Sequence, residues 1–263
     1  MSSAVDTSGL LRELLLELAD DDFVVSIRAS EWLGVAPHFE EDVAFSSIAQ
    51  DEMGHAATYF GLLADLGSEV RDSLAHLRPP SERRNSVLVE RVNGSGTYRD
   101  TPHFDWAYAI CRHYLYDAFE GLRLDRVAGS RYLPLAEAAA KIRREERYHL
   151  LHHDVWLEQI AGSGDDGLRR LQRAFERAFA DAGDLAYVEA WSEGWTATGF
   201  FPESDTLHEE WLLSVSKRLK ALGIQVPLLS SSRNGRLGEH TPDLERLLED
   251  VSEVYRQDPV TSW

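Results

Sequence analysis

The chain has 263 residues, 43% of them hydrophobic and 27% charged, which excludes a wholly disordered protein and is the length of one large domain. Its 27 Lys and Arg against 45 Asp and Glu leave a formal net charge of −18, which argues against broad nucleic-acid binding and against docking on an acidic membrane. One cysteine, Cys111, excludes an intramolecular disulfide and a Cys-based metal cluster, and reads as a reduced core residue.

Met1 to Gly9 lack the basic start of a signal peptide, and no stretch approaches the roughly 20 apolar residues of a membrane span, so a cytoplasmic protein is expected. Leu10, Leu11, Leu14, Leu15 and Leu18 recur at helical spacing. Asp20 to Asp22 read as a joint, and Phe23 to Leu33 as a second helix closed by Gly34 and Pro37. Phe39 to Leu66 is predicted as one long helix stopped at Gly67, followed by a shorter one over Glu69 to Leu77. Val87 to Val92 is read as extended, and Asn93-Gly94-Ser95-Gly96 as a turn.

Long helices follow over Phe104 to Ala128 and from Pro134 to about Ile160, then a Gly162-Ser163-Gly164 linker and a helix over Leu168 to Ala180. Leu185 to Trp195 is ambiguous, Leu207 to Leu222 is helical, Ser230 to Thr241 is a polar loop, and Pro242 to Tyr255 is a last helix. The pattern is all-α, with four main helices and several accessory ones, and no solenoid repeat.

The acids and histidines of the long helices carry the chemical signal. Glu52 and His55 are three apart, so they share a helix face with Phe45, Ile48, Tyr59 and Leu62. Glu146 and His149 repeat that spacing on a face shared with Ala139, Ile142, His153 and Trp156. A carboxylate on an apolar face costs several kcal/mol unless a metal ion or an ion-pair network compensates it.

A carboxylate-bridged two-metal bundle needs two Glu-x-x-His helices and two helices that give one carboxylate each. Glu31 is the candidate before Glu52, and Asp117 the candidate before Glu146, with Glu120 competing. The metal set is then Glu31, Glu52, His55, Asp117, Glu146 and His149, enough for two iron or manganese ions. Asp51, Glu145, His113 and His153 are candidates to orient the ligands, with solvent-facing acids and ordinary core or surface histidines as the plain alternative. Met53 and Gly54 read as packing residues, and Trp191, Trp195, Phe200 and Phe201 as internal packing or a subunit interface.

Several of these stretches carry a resemblance. Ser30-Glu31-Trp32-Leu33-Gly34-Val35-Ala36-Pro37 with Glu40-Glu41-Asp42, Glu145-Glu146-Arg147-Tyr148-His149-Leu150, and Asn234-Gly235, Gly238, His240-Thr241 with a closing Trp263 are similar to the PaaC-type subunits of the bacterial phenylacetyl-CoA epoxidase. The resemblance spans essentially the whole chain. It implies a ferritin-like four-helix bundle over 1–263, with 1–20 as an N-terminal accessory helix and 162–263 as C-terminal accessory helices and loops.

The resemblance also implies a PaaA-type catalytic subunit as partner, for which PaaC-type chains act mainly as structural support. Phenylacetyl-CoA would be the substrate of the complex, and electrons would come from a separate NAD(P)H-dependent reductase. This chain carries neither a Gly-x-Gly-x-x-Gly fingerprint nor a cysteine cluster of its own. In the familiar enterobacterial form the first Glu-x-x-His is degraded, whereas this sequence keeps both, which points to a retained di-iron site. An independently active di-iron oxygenase or oxidase, an iron-storage cage, a homodimer in isolation and a metal-free helical interaction protein are the competing expectations.

Overall fold

The computed structural model of the chain describes residues 7–67, 69–97, 101–187 and 192–259. Trp191 and Trp263, singled out above, lie outside them. The main helices are α1 (Thr7–Ser30) and α2 (Phe39–Leu66), then α5 (Trp106–Val127) and α6 (Leu133–Gly162). Short helices α3 (Arg71–His76) and α4 (Val87–Glu90) lie in the crossover between the two pairs. After α6 come α7 (Asp165–Phe179), α8 (Ser192–Thr198), α9 (Leu207–Ala221), α10 (Pro242–Val251) and α11 (Glu253–Gln257). Among the described residues the only strands are a two-residue antiparallel pair, Gly94–Ser95 with His103–Phe104.

α1 packs along α2, α5 packs along α6, and α2 meets α6 across the middle, as in a ferritin-like bundle. The inward stripes are apolar, as the periodicity predicted: Leu14, Leu18, Val25 and Ala29 on α1, and Phe45, Ala56, Tyr59 and Leu63 on α2, are all buried. No described helix is long and apolar enough to cross a membrane. α2 has the predicted bounds, and Asp105 caps α5 by accepting from the Tyr108 amide at 3.2 Å.

The predicted joint at Asp20 to Asp22 is absent. α1 runs unbroken through all three aspartates, and each is buried. Three adjacent acids leave a helix in directions roughly 100° apart, and here each meets its own partner. Asp20 receives Arg83 Nη1 at 3.0 Å, the Arg84 amide at 2.9 Å and both Arg78 guanidinium nitrogens. Asp21 receives the Ser86 amide, Arg123 Nη1 on α5 and Arg236 Nη1 from the C-terminal loop, each at 2.8 Å. Asp22 receives the Tyr116 hydroxyl of α5 at 2.5 Å. The 1–20 segment is therefore the first half of a core helix, not a separate accessory one.

The second correction concerns Val87 to Val92, read as extended. Val87–Glu90 form a helical turn because Ser86 accepts from the Leu88 amide at 3.2 Å, while Asp184 takes the Ser86 hydroxyl at 2.7 Å. The C-terminal loop is threaded into the same region. Asp184 accepts from the Gly235 amide at 2.7 Å, and a Cβ at Gly235 would sit 2.0 Å from the Asn85 carbonyl oxygen. Only glycine permits that approach. Trp195, Phe201 and Trp211 are buried, and Trp195 Nε1 donates to the Leu10 carbonyl at 2.8 Å, so these aromatics pack internally.

Glu17, one turn before Asp21, is buried with Oε1 lacking a hydrogen-bond partner. Burial, only partly offset by Arg236 and Arg123, raises its pKa from 4.5 to about 8. The folded protein therefore holds a proton that the unfolded chain releases from about pH 4.5 upward. This contribution to stability is complete below about pH 4.5, falls as pH rises, and is gone above about pH 8. A Glu17→Gln chain is expected to lack that slope and to gain on the order of 3 kcal/mol over the parent between pH 5 and pH 8.5. Urea unfolding of both chains at the two pH values checks it; parallel pH profiles would remove Glu17 as the cause.

Candidate metal centre

α2 and α6 present their Glu-x-x-His pairs to one another inside the bundle. Glu52, His55, Glu146 and His149 are all buried. His55 Nδ1 is 3.6 Å from Glu52 Oε2 and 3.4 Å from Glu146 Oε1. His149 Nδ1 is 3.2 Å from Glu146 Oε1 and 3.5 Å from Glu52 Oε1. Each histidine thus turns Nδ1 toward both carboxylates.

The outer nitrogens cross over. His55 Nε2 lies 2.8 Å from Glu145 Oε2 on α6, and His149 Nε2 lies 3.4 Å from Asp51 Oδ2 on α2. Asp51 and Glu145 are 43% and 41% exposed, so these two acids link the buried imidazoles to the surface. A carboxylate on the far nitrogen fixes ring orientation and leaves the near nitrogen to bind. The sequence reading placed these two acids in that role.

The first helix contributes a different acid from the predicted one. Ligand atoms of Asp22, Glu52 and His55 come within 4.8 Å of one another, as do those of Glu52, Glu146 and His149. Glu52 belongs to both groups. Glu31 belongs to neither. It lies nine residues beyond Asp22, ~13 Å further at a helical rise, and is held by Arg28 Nη1 at 2.5 Å and Asn93 Nδ2 at 2.7 Å. The missed signal was Asp22's own stripe, with Leu15 and Leu18 before it and Val25 and Ala29 after, all buried.

On α5 both competing acids are buried near the centre, and both are already engaged. Asp117 Oδ2 is 2.5 Å from His153 Nδ1, while Glu120 Oε2 accepts from Arg123 Nε at 2.5 Å. Asp117 Oδ1 has no hydrogen-bond partner, and burial next to Glu146 pushes its pKa well up. Asp117 belongs to neither three-ligand group. His153, for which a surface position was favoured, is fully buried, with His113 stacked on it at a ring-centroid distance of 5.0 Å. His113 touches His153 and Arg112 rather than Asp117, and burial with Arg112 nearby keeps its pKa well below the usual value. Met53 and Gly54, read as packing residues, face outward, and nothing lies within 4 Å of a Cβ built on Gly54.

Electrostatics match the geometry. Burial disfavours charge on His55, but Glu146 and Glu52 outweigh it and lift its pKa to about 12; the same two carboxylates lift His149 to about 12. Glu146 is likewise opposed by burial yet drawn down to about 2 by His149 and His55. Without an ion, two imidazoliums therefore balance two carboxylates. The donor set suits a metal: both oxygens of Glu52 and Glu146, Asp22 Oδ2 and the Nδ1 atoms of His55 and His149 are buried without a hydrogen-bond partner. Carboxylate oxygens with imidazole nitrogens are the ligand chemistry of iron, manganese and zinc.

A ferritin-like bundle with a Glu-x-x-His on each of two facing helices defines the class: a carboxylate–histidine helical protein, whether metal-loaded or not. The profile of the Phenylacetic acid catabolic protein family matches residues 3–263. The chain is also 30% identical over 250 residues, 94% of its length and 97% of the relative's, to the PaaC component of the 1,2-phenylacetyl-CoA epoxidase of Escherichia coli strain K12. The chain belongs to this family and is a PaaC-like member of it.

Proposed function

We propose that this chain is the PaaC-type subunit of a phenylacetyl-CoA epoxidase assembly, supporting a PaaA-type catalytic subunit and retaining a two-ion centre of its own. The near full-length match to the Escherichia coli protein supports the first part. The observation that carries the second is the pair of ligand groups sharing Glu52, with their inward-facing donor atoms unpartnered. Asp22, Glu52 and His55 would hold one ion, and Glu52, Glu146 and His149 the other. Asp117 is the further carboxylate beside the second group. Bound iron would supply redox capacity toward dioxygen. The chain's own part is to fix the imidazoles through Asp51 and Glu145 and to bury the site.

A metal-free scaffold is the second reading. It is favoured by the charge balance of His55 and His149 against Glu52 and Glu146, and by Arg123 already neutralising Glu120. Ferrous iron added anaerobically to purified protein, followed by elemental analysis, is expected to give about two irons per chain. No retained iron would overturn the metal part. Co-expression with a PaaA-type chain should yield a single complex on size exclusion, and independent elution of the two would overturn the assembly part.

A further inference from the structure

The two ligand groups are not equivalent. Glu52 and Glu146 present both carboxylate oxygens without a hydrogen-bond donor, whereas Asp22 has one oxygen occupied and one free. The occupied oxygen, Oδ1, accepts the Tyr116 hydroxyl at 2.5 Å, and both side chains are buried. Tyr116 comes from α5, which gives no member of either three-ligand group. One helical step before Asp22, Asp21 is gripped by Arg123, seven residues after Tyr116 on the same helix. α5 therefore holds α1 at two adjacent points.

We infer that Tyr116 is a positioning residue for the ion held by Asp22, Glu52 and His55, turning the Asp22 carboxylate so that Oδ2 is the oxygen left to bind. This rests on the two-ion reading above. Rotation about the last bond of an aspartate is soft and nearly two-fold, so nothing within the side chain itself chooses an oxygen. A short donor on one oxygen makes that choice, and it draws electron density from the carboxylate that binds. Hydrogen-bond partners behind metal ligands typically contribute ~10–100-fold in metal affinity. The second ion, on Glu52, Glu146 and His149, has no such dependence on Tyr116.

The test is an anaerobic cobalt(II) titration of the metal-free full-length chain, read by its visible ligand-field bands and by elemental analysis. The parent is expected to bind two ions in distinguishable steps. Tyr116→Phe should weaken one step about tenfold or more, change that step's bands, and leave the other unchanged. Tyr108→Phe, which removes a buried phenol from the same helix away from Asp22, should leave both steps as in the parent. Asp22→Asn should weaken the same step as Tyr116→Phe, and the double variant should bind no more weakly than Asp22→Asn alone. Parental binding and spectra in Tyr116→Phe, or an equal loss of both steps, would overturn the inference while leaving the two-ion centre standing. A parent that binds no ion would overturn both.

Discussion

An Asp21→Ala chain is expected to lose about 3–5 kcal/mol of folding stability, or to fail to fold at growth temperature. The carboxylate of Asp21 sits between Arg123 and Arg236, each 2.8 Å away and each fully buried, and it also takes the Ser86 amide. Removing it strands two guanidiniums in the core. Arg123 keeps Glu120, but Arg236 is left with only the carbonyl oxygens of Arg84 and Leu185. An uncompensated buried charge costs far more than a lost surface pair, and a domain holds only ~5–15 kcal/mol in all. Asp166→Ala is the matched control. Its partners Arg169 and Arg170 are exposed, so that pair is screened and its removal should leave the unfolding midpoint unchanged. Urea denaturation of the three chains decides it. Parental stability in Asp21→Ala would show that the buried network does not hold the C-terminal loop to α1.

Glu52→Gln is expected to lower retained iron from about two per chain to one or fewer while leaving the helical content intact. Glu52 is the shared member of both ligand groups, and an amide offers neither the charge nor the bridging capacity of a carboxylate. The fold should tolerate the change, because neither Glu52 oxygen is engaged by a hydrogen-bond donor in the ion-free site. Glu31→Gln separates the two assignments of the first-helix ligand. With Glu31 bound to Arg28 and Asn93, that variant should keep its full iron complement, and Asp22→Asn should not. Elemental analysis after anaerobic reconstitution reads all three. Iron lost with Glu31→Gln and kept with Asp22→Asn would restore the assignment that the spacing first suggested.

The contrast between Glu31 and Asp22 shows where reading from sequence stops. Both acids lie at helical spacing from apolar neighbours, and Glu31 lies closer to the second helix along the chain. Nothing in that spacing says that Arg28 and Asn93 will take Glu31, because Asn93 is 62 residues away. The Asp20 to Asp22 run misleads for a related reason. Adjacent acids are poor helix formers and usually mark an end. Here their partners Arg83, Arg123, Arg236 and Tyr116 lie between 63 and more than 200 residues downstream and arrive only when the bundle closes. His153 was misplaced on the same ground, since its partner Asp117 is on another helix.

What the sequence determined by itself is what short-range geometry controls. The bounds of α2, the cap of α5, the inward stripes and the shared faces of Glu52 with His55 and Glu146 with His149 all follow from a 3.6-residue period. Family membership was legible too, because its motifs are contiguous. The tertiary structure alone decided which carboxylates face the centre and which are spent on arginines or histidines. A buried charge is stabilised by whatever opposite charge or donor lies within a few ångströms in space, and that neighbour is set by how the helices pack rather than by distance along the chain.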